Sequence, residues 1–208
     1  RASGNKTPGY IKTPWPAASE QDVMRCLPDS LDIVTLTKAD NCSAYDAEDM
    51  AAMHEKGTKV LYQVDYAARK AEFSSEAALK TYLDGVIAAV RTNGMDGYSF
   101  TADPLDVATT TTIVATLSAA KGDGQLLVFE GNPLSVAEAD RAKLDFVVLD
   151  TEKAENTTDV QLQVLNATGY AGIPAGKLLL AAEIDAPLQD ADRTEYAAVE
   201  AMARCVVE

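Results

Sequence analysis

Acidic side chains recur just beyond short apolar runs along this sequence, and they are the residues best placed to do chemistry. Asp65 with Tyr66, Asp103, Glu130 with Asn132, Asp150 with Glu152, and Glu183 with Asp185 each follow such a run. Two facing carboxylates roughly 5 to 9.5 Å apart can cleave a glycosidic bond, one as acid and the other as base or nucleophile. Trp15, Tyr62, Tyr66 and Tyr98 are the aromatic side chains near the predicted strands or early loops; most are expected to fill the core, leaving one or two to meet a ring-shaped ligand. The candidate ligand-binding set is Asp65, Tyr66, Tyr98, Asp103, Glu130, Asn132 and Glu152.

Other chemistries find fewer residues. His54 is the single histidine, inside the helical pattern Met53-His-Glu-Lys, where a solvated position is expected rather than a place in a nucleophilic triad. Cys26, Cys42 and Cys205 stand far apart, without the close pairs of a zinc site, and their odd number leaves at least one thiol free. No H-E-x-x-H or EF-hand pattern occurs, and the acidic loops could at most hold a weakly bound hard cation such as calcium. The expectation is no cofactor and no required metal. Asn5, Asn41, Asn156 and Asn166 each stand in an N-x-S/T triplet and read as polar loop positions.

The elements that must carry these residues follow from the hydrophobic pattern. Runs over 32–36, 59–66, 97–102, 125–131, 145–149 and 177–184 are nearly continuous in apolar residues, as strands buried on both faces of a helix-covered parallel sheet must be. A seventh strand is expected at 2–4. Between strands run helical patterns. One begins at Ser74 or Ser75, continues through Leu79, Tyr82, Leu83, Val86, Ile87 and Val90, and stops at Asn93-Gly94. Ser135 with Glu138 and Thr158 with Gln161 have capping-box spacing, Gly57, Gly122 and Gly169 sit where helices should stop, and a last helix is expected over about 190–205. Thr109–Thr112 falls on a helix. Repeated strand-then-helix units predict an α/β fold, a (β/α)8 TIM-type barrel incomplete at its C-terminal end. A doubly wound sheet would carry a glycine-rich phosphate loop, and neither G-x-G-x-x-G nor a Walker sequence is present.

With 208 residues and 47% apolar content the chain can bury one sizeable core, so residues 1–208 are read as a single domain. Its net charge of -14 repels phosphate backbones and anionic lipid, which argues against nucleic acid as a partner. No apolar run reaches the roughly 20 residues of a bilayer-spanning helix, and a soluble domain is expected. The chain opens on Arg1 and closes on Glu208 within a helical pattern, so it is expected to be a piece of a longer protein.

The segment Asn93-Gly-Met-Asp-Gly-Tyr-Ser-Phe-Thr-Ala-Asp103 resembles the fourth strand of glycoside hydrolase family 18, the chitinase and endo-β-N-acetylglucosaminidase family, whose pattern runs G-x-D-G-x-D-x-D-x-E. Gly94, Asp96 and Gly97 match its opening. Leu31-Asp-Ile-Val-Thr-Leu36 and Gly57-Thr-Lys-Val-Leu-Tyr62 resemble the second and third strands of bacterial members. The rest of the pattern departs. Ser99 and Thr101 replace the two later aspartates, and Asp103 stands at the catalytic glutamate. In the family that glutamate protonates the leaving oxygen, while an aspartate before it helps the substrate's 2-acetamido group to act as nucleophile. Asp103 is roughly 1 to 1.5 Å shorter in reach, and a displacement of about 1 Å can cost about a hundredfold in rate.

The resemblance thus implies a catalytically impaired domain that binds N-acetylglucosamine-containing glycans or N-glycans without cleaving them, secreted or on a bacterial outer surface or in the periplasm. The alternative is a weakly active endo-β-N-acetylglucosaminidase or chitinase with Asp103 as general acid and an assisting carboxylate from Asp65, Glu130 or Asp150. A third reading is a scaffold without a ligand. Asp103 before Pro104 also reads as a helix N-cap, and Asp96 as an acceptor for the turn ahead of its strand.

Overall fold

The computed structural model describes residues 10–14, 24–37, 39, 44–183, 187–189, 193–197 and 200. Seven strands form one parallel sheet in chain order: β1 (Tyr10–Pro14), β2 (Ile33–Thr37), β3 (Lys59–Asp65), β4 (Gly97–Thr101), β5 (Leu126–Glu130), β6 (Phe146–Leu149) and β7 (Leu178–Leu180). Helices α1 (Ala44–Lys56), α2 (Tyr66–Arg69), α3 (Glu76–Thr92), α4 (Val107–Ala120), α5 (Glu138–Arg141) and α6 (Thr157–Leu165) lie between successive strands from β2 onward. Sequential parallel order with helical crossovers is the TIM-type arrangement. An eighth parallel strand is not found among the described residues. After β7 comes an antiparallel ribbon, β8 (Pro187–Gln189) with β9 (Glu195–Ala197).

The two faces of the sheet are distinct. Val34, Val64, Tyr98, Phe100, Leu127, Phe129 and Val147 pack outward against Leu79, Leu83, Val86, Val90, Ile113 and Leu117 of α3 and α4. Ile33, Leu61, Val128, Val148 and Leu179 form a separate cluster on the opposite face. Residues two apart share a face, so Gln63, Asp65, Ser99, Thr101 and Glu130 lie on this second side. It is concave, because the Gln63 amide on β3 reaches Glu130 on β5 at 3.1 Å, across the intervening β4.

At the amino ends of the strands, two carboxylates fix the sheet. Asp96 Oδ2 accepts from the Val60 N–H and stands 2.8 Å from His54 Nε2 of α1, and Asp145 Oδ2 accepts from the Leu127 N–H and from Lys121. Asp96 does accept hydrogen bonds, but from β3 and α1 rather than from the turn ahead of its strand. His54 is not merely solvated: it joins α1 to that carboxylate. Gly97 has φ +136°, and a Cβ there would lie 2.1 Å from the Leu126 carbonyl oxygen, so close strand contact demands glycine. The matched Asp96 and Gly97 are accounted for by this packing.

Five expectations need correction. The opening strand is Tyr10–Pro14, whereas 2–4 lie outside the described residues. The Ser75 cap holds, but α6 is capped by Asn156, which accepts from Asp159 N–H, and α5 by Ala137, with Ser135 buried beneath it. Asp106 rather than Asp103 caps α4. The strand expected over 177–184 shortens to Leu178–Leu180. Where the last helix is expected to begin, Leu188 instead pairs with Tyr196 in the ribbon and buries against Val160 of α6, a tertiary contact that overrides the helical pattern there; Glu200 is helical, and residues 201–208 lie outside the described ones.

Candidate functional site

At the carboxyl ends of the central strands, register sets three polar side chains in a row on the concave face. Asp65 pairs with Thr101, and Thr101 with Glu130. One step lower, Gln63 pairs with Ser99, which stands beside Val128. The Thr101 hydroxyl donates to Asp65 Oδ1 at 2.8 Å and accepts from the Ala67 N–H, while Asp65 Oδ1 also accepts from the Ala68 N–H and caps α2. Glu130 is buried and accepts from the Gln63 amide through both oxygens. Ser99 is fully buried, and its Oγ has no hydrogen-bond partner among the described residues. A hydroxyl in that condition is desolvated without a hydrogen bond in return, which costs stability.

Asp103 continues the same alternation beyond β4. Its carboxylate accepts from Lys70 Nζ at 2.6 Å and from the Leu105 N–H at 2.8 Å. Lys70 and that backbone donor hold it below the usual carboxylate range, and Asp103 in turn holds the Lys70 ammonium above its ordinary value. A carboxylate so stabilised stays ionised at neutral pH, whereas a general acid must enter the reaction protonated. Asp103 engages a backbone N–H, as a helix cap would, but through a turn, and the cap of α4 is Asp106.

The remaining sequence candidates scatter. Tyr66 is buried on the helix side, stacked on Phe73 at 6.0 Å between ring centroids, and its hydroxyl donates to Asp106. Tyr98 is fully buried in the sheet–helix core, where burial pushes its phenol pKa up, and its hydroxyl has no partner among the described residues. Tyr62 lies in the same core. None of these three tyrosines faces the concave side: Tyr62 and Tyr98 are one residue out of phase with the inward positions, and Tyr66 opens α2 and packs in the helix-side core. Trp15 and Asp185 lie outside the described residues. Asn132 is exposed and caps the turn at Pro133–Ser135. Glu152 sits in the turn after β6 with Oε2 buried and unpartnered among the described residues, Asp150 pairs with Lys153 at 3.3 Å, and Glu183 is exposed. Structure therefore brings together Asp65, Thr101, Glu130, Ser99 and, at the rim, Asp103. It adds Gln63 and Lys70, which the sequence reading missed. Gln63 was legible as the inward residue two before Asp65; no spacing rule points to Lys70.

Among the described residues no cluster of three or more metal-ligating side chains occurs, and no helix is long and apolar enough to cross a membrane. No protein-family profile and no curated protein sequence matches the chain. Solved structures do. A chitinase from Bacteroides thetaiotaomicron superposes with a TM-score of 0.64 at 13% identity, over 83% of this chain and 66% of that one. The chitinase domain of the spore coat protein CotE from Clostridium difficile gives 0.64 at 15%, over 96% and 70%. A glycoside hydrolase family 18 chitinase from Pseudoalteromonas aurantia gives 0.60 at 14%, over 82% and 78%. The fold is that of the bacterial family 18 chitinases, and the chain spans about two thirds of the Bacteroides enzyme's length.

Proposed function

We propose that this domain binds N-acetylglucosamine-containing glycans at the carboxyl end of its barrel and does not cleave them. The observation that carries the reading is the state of the family's three acidic positions. Ser99 and Thr101 place hydroxyls where a carboxylate would assist the acetamido group, and Asp103 is committed to Lys70 as an ion pair. A site with no assisting carboxylate at those positions and an ionised acid lacks both halves of the retaining mechanism. What remains can still hold a polyol. Asp65 at the strand ends is held rigidly by Thr101, and Glu130 two strands away is braced by Gln63. Such preorganisation lowers the entropic cost of binding. We propose in addition, from the resemblance of its motif to that family, a location outside the bacterial cytoplasm, secreted, at the outer surface or in the periplasm.

The test is calorimetric titration of chito-oligosaccharides and of free N-glycans into the wild-type protein and into Glu130→Ala. Binding by the wild type, weakened tenfold or more in the variant with the fold retained by circular dichroism, supports the reading. No binding of either glycan class by the wild type would leave the barrel as a scaffold.

A further inference from the structure

A groove of about 350 Å³ opens on the outer rim of the barrel, between the amino ends of α3 and α4 and away from the concave face. That volume sits at the low end of the roughly 300 to 1,000 Å³ of ligand clefts. One wall is apolar, from Phe73, Leu79 and Ala108, and Tyr66 lies beneath. The other is polar and of mixed character. Lys70 keeps further N–H donors beside the one given to Asp103. Ser75 accepts from the Ala78 N–H, which leaves its own hydroxyl proton to donate, and the Glu76 carboxylate has no hydrogen-bond partner among the described residues.

These groups select among ligand classes. Glu76 and the ionised Asp106, whose carboxyl is held low chiefly by the Thr109 N–H and hydroxyl, disfavour an anion. A cation would leave the remaining Lys70 and Ser75 donors without an acceptor. Donors and an acceptor set around a small apolar wall match a neutral ring that carries hydroxyls, each of them both donor and acceptor. Position adds a second argument, because Lys70 lines this groove and also bonds Asp103 at the barrel rim, so the two sites share one side chain.

We infer that the groove is a lateral subsite for sugar residues of a glycan whose other end sits at the barrel mouth, so that the domain holds an oligosaccharide by its length rather than a single sugar. This rests on the glycan-binding reading above, and the experiment separates the two. Chitobiose and chitohexaose are titrated calorimetrically into the wild-type protein, Ala108→Arg and Thr112→Lys. Both substitutions bring long side chains into the groove from exposed or half-exposed helix positions, and circular dichroism checks that each variant is folded. The wild type should bind hexaose at least tenfold more tightly than biose, and either variant should bring hexaose down to the biose level. Equal affinity for the two sugars in the wild type, or hexaose affinity unchanged in both folded variants, overturns the lateral subsite while leaving the mouth reading intact. Failure of the wild type to bind either sugar overturns both.

Discussion

Replacing Gly97 by alanine should be among the most damaging single-methyl changes in this protein, and the size of the effect can be worked from the geometry. A Cβ at that position would stand 2.1 Å from the carbonyl oxygen, 2.6 Å from the nitrogen and 2.9 Å from the carbonyl carbon of Leu126. All three are backbone atoms, so no rotamer change relieves the clash and β5 must move away from β4. Holding a non-glycine residue at φ +136° costs of order 1 to 3 kcal/mol. Losing one or two ladder hydrogen bonds where the strands part adds about 0.5 to 1.5 kcal/mol each. Together the change should cost about 2 to 6 kcal/mol, a large share of the roughly 5 to 15 kcal/mol that holds an ordinary domain folded. Gly85 supplies the control of opposite sign. It lies on the exposed face of α3 with nothing within 4 Å of a built Cβ, and alanine there should stabilise by about 0.5 to 1 kcal/mol. Urea denaturation followed by circular dichroism measures both. A Gly97→Ala midpoint within about 1 kcal/mol of wild type would refute the claim that packing against Leu126, rather than chemistry, accounts for that glycine.

Three further outcomes are expected. Tyr98→Phe removes a buried hydroxyl with no partner among the described residues and should stabilise by about 1 kcal/mol, read as a thermal midpoint roughly 2 to 4 °C higher. Ser99→Ala should likewise leave the protein as stable or more so, and a clear fall in the thermal midpoint would contradict the reading of that hydroxyl as unpartnered. Lys70→Met should let the Asp103 pKa climb toward its ordinary value, as followed by carboxyl-carbon NMR titration. Because the folded pKa of Asp103 is depressed and that of Lys70 raised, the stability from their pair is present above about pH 4 and below about pH 10. It is lost as acid protonates Asp103 through its folded pKa and as base deprotonates Lys70 through its own. Wild type and variant should therefore converge in stability at both extremes, and a gap that persists in strong acid would contradict the assignment.

Much of the fold was readable because five of its strands are buried on both faces, and such runs stand out against polar loops. β1 did not stand out: Tyr-Ile-Lys-Thr-Pro is short, carries a lysine and ends in proline, as an edge strand can. Cap positions slipped where two candidates were close in sequence, as with Asn156 and Thr158, since both can bond local N–H groups and only backbone geometry decides. The ribbon of β8 and β9 depends on Leu188 reaching Val160, a contact no local pattern encodes. At the site, the acidic strand ends were legible as residues but not as directions. Strict alternation from Asp65 would have brought in Gln63, and from Thr101 would have put Tyr98 on the helix side. The Lys70–Asp103 bond, which pairs the carboxylate at the end of the motif, joins loops after different strands and leaves no trace in spacing.

The central claim is that the barrel holds its glycan intact, and product analysis tests it most directly. Chitotetraose incubated for days with wild-type protein and with Asp103→Ala is examined by mass spectrometry against a no-protein blank. The account predicts the same intact tetrasaccharide in all three samples. Shorter sugars formed by the wild type and absent with Asp103→Ala would contradict it and make Asp103 a working general acid despite its bond to Lys70.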